Sequence, residues 1–207
     1  MNVMRVQAKQ GRVDTDRTEA LVILLCEDET LSTSDGGLLD RALGGTLREL
    51  QRSREFEGKT QEVLLLHTHG KLPAKRLILA GLGKRPQLGL DQIRQAMGYA
   101  VKRVRQAKAG SFTVALPNAM PRGASVSDLS QTLTEGAILG SYQFTAYRSE
   151  APAGKDVTAM TILVSQKSHL GPVSEGIRRG IATAEATVFV RDLCNHPSNV
   201  MTPTKIT

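Results

Sequence analysis

Residues 77–116, LILAGLGKRPQLGLDQIRQAMGYAVKRVRQAKAGSFTVAL, decide the fold. Leu77 to Ala80 is a short, continuously apolar run, the pattern of a strand covered on both faces. It leads into Gly81, Leu82 and Gly83. From Ile93 through Met97, Ala100, Val101, Val104 and Ala107 the apolar residues recur at helical spacing, so an amphipathic helix follows. Gly110 suits the C-terminal cap of that helix. Phe112 to Leu116 is apolar again and stops at Pro117, which gives a second strand.

The flanking segments repeat this alternation. Upstream, the opening segment through Val6 and the run Ala20 to Cys26 are strands, the latter apolar throughout. Asp35, Gly36 and Gly37 form a turn, and Leu38, Leu39, Ala42, Leu43, Leu47 and Leu50 then mark a helix weakened at Gly44 and Gly45. Val63 to Leu66 joins Leu77 to Ala80 as a pair of central strands, separated by a polar loop containing Gly70 and Pro73. Downstream, Leu129, Leu133, Ala137 and Gly140 mark a helix with Asp128 early in it, where a negative charge suits the helix dipole. Val157 to Val164 is the last strand. Pro172 suits a first helical position, and Val173, Ile177, Ile181, Ala184 and Val188 keep helical spacing toward a stop before Pro197. Strands alternating with helices predict an α/β fold with a largely parallel sheet flanked by helices, followed by one long helix.

Composition agrees with one full domain and a remainder in 207 residues. Aromatic residues make up only 3%, so the core must be built from Leu, Val, Ile and Ala. Cys26 and Cys194 are far apart, and Cys26 lies in an apolar run, so a disulfide framework is not indicated. The N-terminus lacks the pattern of a secretion signal, and no apolar run approaches ~18 residues, which places the expected location in the cytoplasm. The formal charge of +7 favours an anionic partner. Basic clusters occur at Lys71, Lys75 and Arg76, at Lys84 and Arg85, and at Lys102, Arg103, Arg105 and Lys108. With so few aromatics to stack on bases, DNA binding is an alternative to a solvated basic face.

No residue set reads as a catalytic, cofactor-binding or metal site. Asp14 and Asp16, Glu27, Asp28 and Glu29, and Glu55 and Glu57 lie in polar stretches and read as solvated charge. His67 and His69 could point to one side of a strand end, yet no nearby Cys or acidic residue completes a zinc site. His169 and His196 are isolated. The Gly81 and Gly83 turn has the placement from which backbone amides cradle a phosphate, but it lacks the third glycine of a dinucleotide fingerprint and the Lys-Ser/Thr pair of a P-loop. No Gly-Xaa-Ser-Xaa-Gly elbow is present.

Arg191-Asp192-Leu193-Cys194-Asn195-His196-Pro197-Ser198-Asn199-Val200-Met201-Thr202-Pro203 resembles the stretch where the leucyl aminopeptidases of peptidase family M17 pass from their linker helix into the catalytic domain. Gly81-Leu82-Gly83-Lys84, and Glu135-Gly136-Ala137 followed by Tyr142, Phe144 and Tyr147, are similar to the same family. Cys194 and His196 depart from its usual choices. The resemblance implies a macro-domain-like N-terminal domain over residues 1–167, an inter-domain linker helix over 168–196, and the start of a missing catalytic domain at 197–207. It implies a hexameric parent that removes N-terminal residues from peptides with two divalent cations, manganese or zinc. The family's metal ligands and catalytic residues find no counterpart before Thr207, so this portion alone is expected to be inactive. Macro-type domains bind ADP-ribose and some bacterial family members bind DNA, which makes nucleotide and DNA the alternative partners.

Overall fold

The computed structural model describes residues 4–27, 29, 34–147, 149 and 154–201. The sequence readings at Asp28, Thr202 and Pro203 lie outside these residues.

Six strands form one mixed sheet. They are β1 (Arg5–Gln10), β2 (Leu21–Cys26), β3 (Val63–His67), β4 (Arg76–Gly83), β5 (Ser111–Ala115) and β6 (Ala159–Val164), in the spatial order β1-β6-β5-β2-β4-β3. All neighbours are parallel except β3, which runs antiparallel to β4. The helices are α1 (Ser34–Ala42), α2 (Thr46–Arg52), α3 (Leu90–Gln106), α4 (Val126–Ser141) and α5 (Leu170–Asn195). Period-two alternation in β2 divides the core. Leu21, Ile23 and Leu25 pack with Leu39, Leu43 and Leu47 of the α1–α2 layer, whereas Val22, Leu24 and Cys26 face the layer that holds α3, α4 and α5. Both faces are thus covered, which is why the central strands are apolar without interruption.

Four expectations need correction. The opening strand does not stop near Val6 but continues to Gln10; as an edge strand it is partly exposed, so its polar Gln7, Lys9 and Gln10 disguised it. The Val63 strand is not central: β3 is the opposite edge. Asp35, Gly36 and Gly37 lie inside α1 rather than in a turn, and Gly36 is buried against β2 and the end of β5. The helix predicted across Gly44 and Gly45 is two helices, because both glycines adopt left-handed φ values of 71° and 88°.

The C-terminus of α3 gives a fifth difference. Lys108, not Gly110, takes the left-handed position, with φ 57°. The Lys108 amide donates to Arg105 O and the Ala109 amide to Val104 O, the bond pair of a Schellman cap. Gly110 instead donates to the Glu19 carboxylate at 3.0 Å. Because a side chain in this region costs about 1 kcal/mol that glycine avoids, Lys108→Gly is expected to stabilise the fold by about that amount. Urea unfolding checks it.

α5 is held along its length. Val173, Gly176, Ile177, Gly180, Ala184 and Val188 are buried in the same core as the sheet. The apolar stripe read from the sequence is therefore largely covered within this chain. Ser125 caps α4: its hydroxyl accepts from the Asp128 amide at 3.1 Å, and the Asp128 carboxylate accepts in return from the Ser125 amide at 3.0 Å. The Ser125 hydroxyl and amide hold the Asp128 carboxyl below its ordinary range, with Arg179 adding to the effect.

Candidate functional site

The segments singled out at Tyr142 to Tyr147 and Arg191 to Pro197 meet in space. α4 ends at Ser141, and Tyr142 turns into extended backbone. α5 ends at Asn195, where His196 is extended as residues before proline prefer. The Tyr142 hydroxyl donates to Asp192 Oδ1 at 2.7 Å and accepts from Asn195 Nδ2 at 3.1 Å. The Arg191 guanidinium lies 5.7 Å from the Tyr142 ring centroid and donates to Leu139 O at 3.5 Å. One turn further, His196 meets Phe144 edge-on at 5.2 Å, and its Nδ1 lies 2.7 Å from the Tyr147 hydroxyl. Desolvation first, and the Asp192 carboxylate second, raise the Tyr142 pKa, so this phenol is a neutral hydrogen-bond donor. These contacts form a latch that ties the end of α4 to the end of α5.

An apolar surface adjoins the latch. Phe189 and Val190 are 59% and 55% exposed, and Tyr147 is exposed as well. The helical stripe read from sequence omitted Phe189 and Val190. The signal was present in Val188-Phe189-Val190, because three successive apolar residues cannot all lie on one helical face.

Glu135 and Gly136 serve the packing of α4 on α3. The buried Glu135 carboxylate accepts from Arg94 Nε at 2.9 Å and from Gln131 Nε2 at 2.9 Å. A Cβ on Gly136 would lie 2.5 Å from Arg94 O, so glycine is needed for the close approach. Beside this contact, Arg94, Lys102 and Arg191 line a groove of about 360 Å³ floored by Gly98, Gly136 and Gly140. Sequence clusters had not joined Arg94 or Arg191 to Lys102, since Arg94 lies eight positions earlier in α3 and Arg191 comes from α5.

The remaining candidates stay apart. The imidazoles of His67 and His69 are 6.1 Å apart, and among the described residues no group of three His, Cys, Asp or Glu could hold a metal ion. Cys26 is buried and Cys194 exposed, and neither forms a disulfide among the described residues. Of the carboxylates expected to be solvated, Asp16 is buried; Lys9 Nζ at 2.6 Å and Thr113 Oγ1 at 2.8 Å satisfy it. The Gly81–Gly83 segment is not a free turn. β4 runs through it with a bulge against β2, and the Gly81 and Gly83 amides donate to Glu62 O and Gly58 O at 2.9 Å each. The crevice at the carboxyl ends of β2 and β5, where the strand order reverses, holds only about 10 Å³ among the described residues. Burial, then the Asp14 charge, raises the pKa of Asp35 on its wall. No helix of the described residues is long and apolar enough to cross a membrane.

Known proteins share this architecture. A probable cytosol aminopeptidase of Geobacter sp. (strain M21) is 36% identical over 206 residues, covering 97% of this chain and 40% of that protein. A mutant tomato leucine aminopeptidase superposes with TM-score 0.79 at 23% identity, over 97% of this chain and 40% of that one. A Trypanosoma brucei macrodomain in complex with ADP superposes with TM-score 0.62 at 13% identity, over 84% of this chain and 69% of that one, which shows the macro-domain-like fold alone. The chain thus spans about 40% of the length of the aminopeptidases it matches. Residues 22–151 match the sequence profile of the cytosol aminopeptidase family, N-terminal domain, and the chain belongs to that family.

Proposed function

We propose that this chain is the non-catalytic N-terminal domain of a cytoplasmic, leucyl-type metallo-aminopeptidase. Its work is to pack against the catalytic portion, support a hexamer and restrict access to the active sites. The observation that carries this reading is the latch. Tyr142, Asp192, Asn195 and Arg191 hold the end of α5 in one direction, beside exposed Phe189, Val190 and Tyr147. A rigid exit next to an apolar patch suits a domain that must present its continuation at a fixed angle.

The parent's reaction would be attack of water on the first peptide bond, assisted by two divalent cations, manganese or zinc. Such a pair needs carboxylates converging on ions ~4 Å apart. The described residues offer no such group, so no step of that chemistry is assigned to them. DNA is a second partner, supported by the groove that gathers Arg94, Lys102 and Arg191.

One set of assays separates these readings. The 207-residue protein is expected to leave leucine anilides intact with added manganese or zinc; metal-dependent turnover free of contaminating peptidase would sink the non-catalytic assignment. Titration with duplex DNA at two salt concentrations tests the second partner. Phosphate-driven binding weakens steeply with salt, and absence of binding at low salt removes it.

A further inference from the structure

β3 ends the sheet on the side opposite β1, and its pairing with β4 fixes which of its backbone groups are free. The Gly81 amide donates to Glu62 O at 2.9 Å and the Thr68 amide to Lys75 O at 3.3 Å. Alternation along an antiparallel pair therefore turns Leu64 and Leu66 toward β4 and points the amides and carbonyls of Val63, Leu65 and His67 away from the sheet. Among the described residues these outward groups have no partner. The strand carries no proline, lysine or bulge that would guard it, and Val63, Leu64, Leu65 and Leu66 are all half-exposed.

Charge selects the occupant and its direction. Glu62 immediately precedes the strand, its carboxylate held by the Glu57 and Lys59 amides, while Lys59 itself pairs with Glu57. From the other end onward, His67, His69, Lys71, Lys75 and Arg76 are the ionisable residues, and none is acidic. A strand with an acidic entry and a basic exit is complementary to a reversed copy of itself and opposed to a parallel one.

We propose that β3 is a self-pairing edge through which two copies of this chain join their sheets antiparallel, with a two-fold axis at Leu65. Val63 then lies opposite His67 of the second copy, and Leu65 opposite Leu65. Each of these pairs exchanges two backbone bonds, which uses every outward group of the three residues. The half-exposed Val63 and Leu65 cover one another on one face, Leu64 and Leu66 on the other. The edge is remote from α5, so the inference stands apart from the role given to the latch.

Sedimentation of the 207-residue protein, with Cys194→Ser to remove the exposed thiol, is expected to show a dimer. Leu65→Pro removes an amide that β4 does not use, so it spares the β3–β4 ladder and is expected to weaken the dimer roughly tenfold or more. In the same background, Leu65→Cys is expected to give a covalent dimer on mild oxidation, because facing residues at that position lie about 5.5 Å apart at Cα. Cross-linking keeps the proposal testable if the proline variant fails to fold. A monomeric protein that does not cross-link overturns it. So does a dimer that survives Leu65→Pro but dissociates on Phe189→Asp, which would assign the contact to α5.

Discussion

Gly176→Ala is expected to destabilise the protein by about 3 kcal/mol or more, although alanine is the better helix former. α5 crosses α4 at this residue. A Cβ built there would lie 2.0 Å from Ser130 Oγ, 2.2 Å from Ser127 O and 2.9 Å from Gln131 N. Two of these atoms are backbone and cannot rotate away, so the helices must separate. One turn on, Gly180 is also tightly packed, its Cβ position 2.7 Å from Gln131 O and 2.8 Å from Thr134 Cβ. Separation would also loosen the buried contacts of Val173, Ile177 and Ala184. The gain in helix propensity is about 1 kcal/mol, too small to offset overpacking of this kind. Gly171→Ala, in the same helix, is the control: nothing lies within 4 Å of its Cβ position, so that variant is expected to be neutral or slightly stabilising. Urea unfolding of the two variants separates steric from conformational effects, and a Gly176→Ala midpoint equal to wild type would refute the close-packed crossing.

The sequence made the alternation of strands and helices legible because each central element buries a pattern with a definite period. β2 is apolar at every position, and α3 buries Ile93, Met97, Ala100, Val101 and Val104 as predicted. What failed was whatever depends on neighbours. β1 carries polar residues because only one side of it is paired, and β3 looks central because its leucines pack on both layers despite its edge position. The left-handed cap at Lys108 escaped notice because glycine is the usual occupant, and Gly110 stood nearby. Asp16 resembled solvated charge until folding brought Thr113, almost a hundred positions away, within 2.8 Å of it. The candidate site followed the same division. The motifs at Tyr142 and Arg191 were visible as separate strings, but their joining through Tyr142, Asp192 and Asn195 is a consequence of α4 lying along α5. Phe189 and Val190 are the large apolar residues that α5 leaves exposed beside its buried Val188.

Gly81→Ala has the second large effect, expected at about 3 kcal/mol or more, and its cause decides between two readings of the same glycine-rich string. If Gly81-Leu82-Gly83 were an open phosphate cradle, an added methyl would chiefly impair ligand binding, and its cost to the free protein would be small. Instead, a Cβ on Gly81 would lie 1.9 Å from Lys59 O and 2.5 Å from the Gly58 carbonyl carbon. The loop leading to β3 passes directly over the strand there. That loop is pinned in place, since Gly58 O accepts from the Gly83 amide and a Cβ on Gly58 would itself meet Cys26 O at 2.9 Å. Neither backbone can yield without breaking the bonds that close the end of β4, so the variant should unfold at markedly lower urea. The corresponding ligand experiment uses the unaltered protein. A ligand that binds only the folded state raises the melting temperature in proportion to the logarithm of its concentration. Because the Gly81 and Gly83 amides are already spent on Glu62 O and Gly58 O, pyrophosphate and ADP-ribose are expected to leave it unchanged. A stable Gly81→Ala protein, together with a melting temperature raised by either ligand, would restore the cradle.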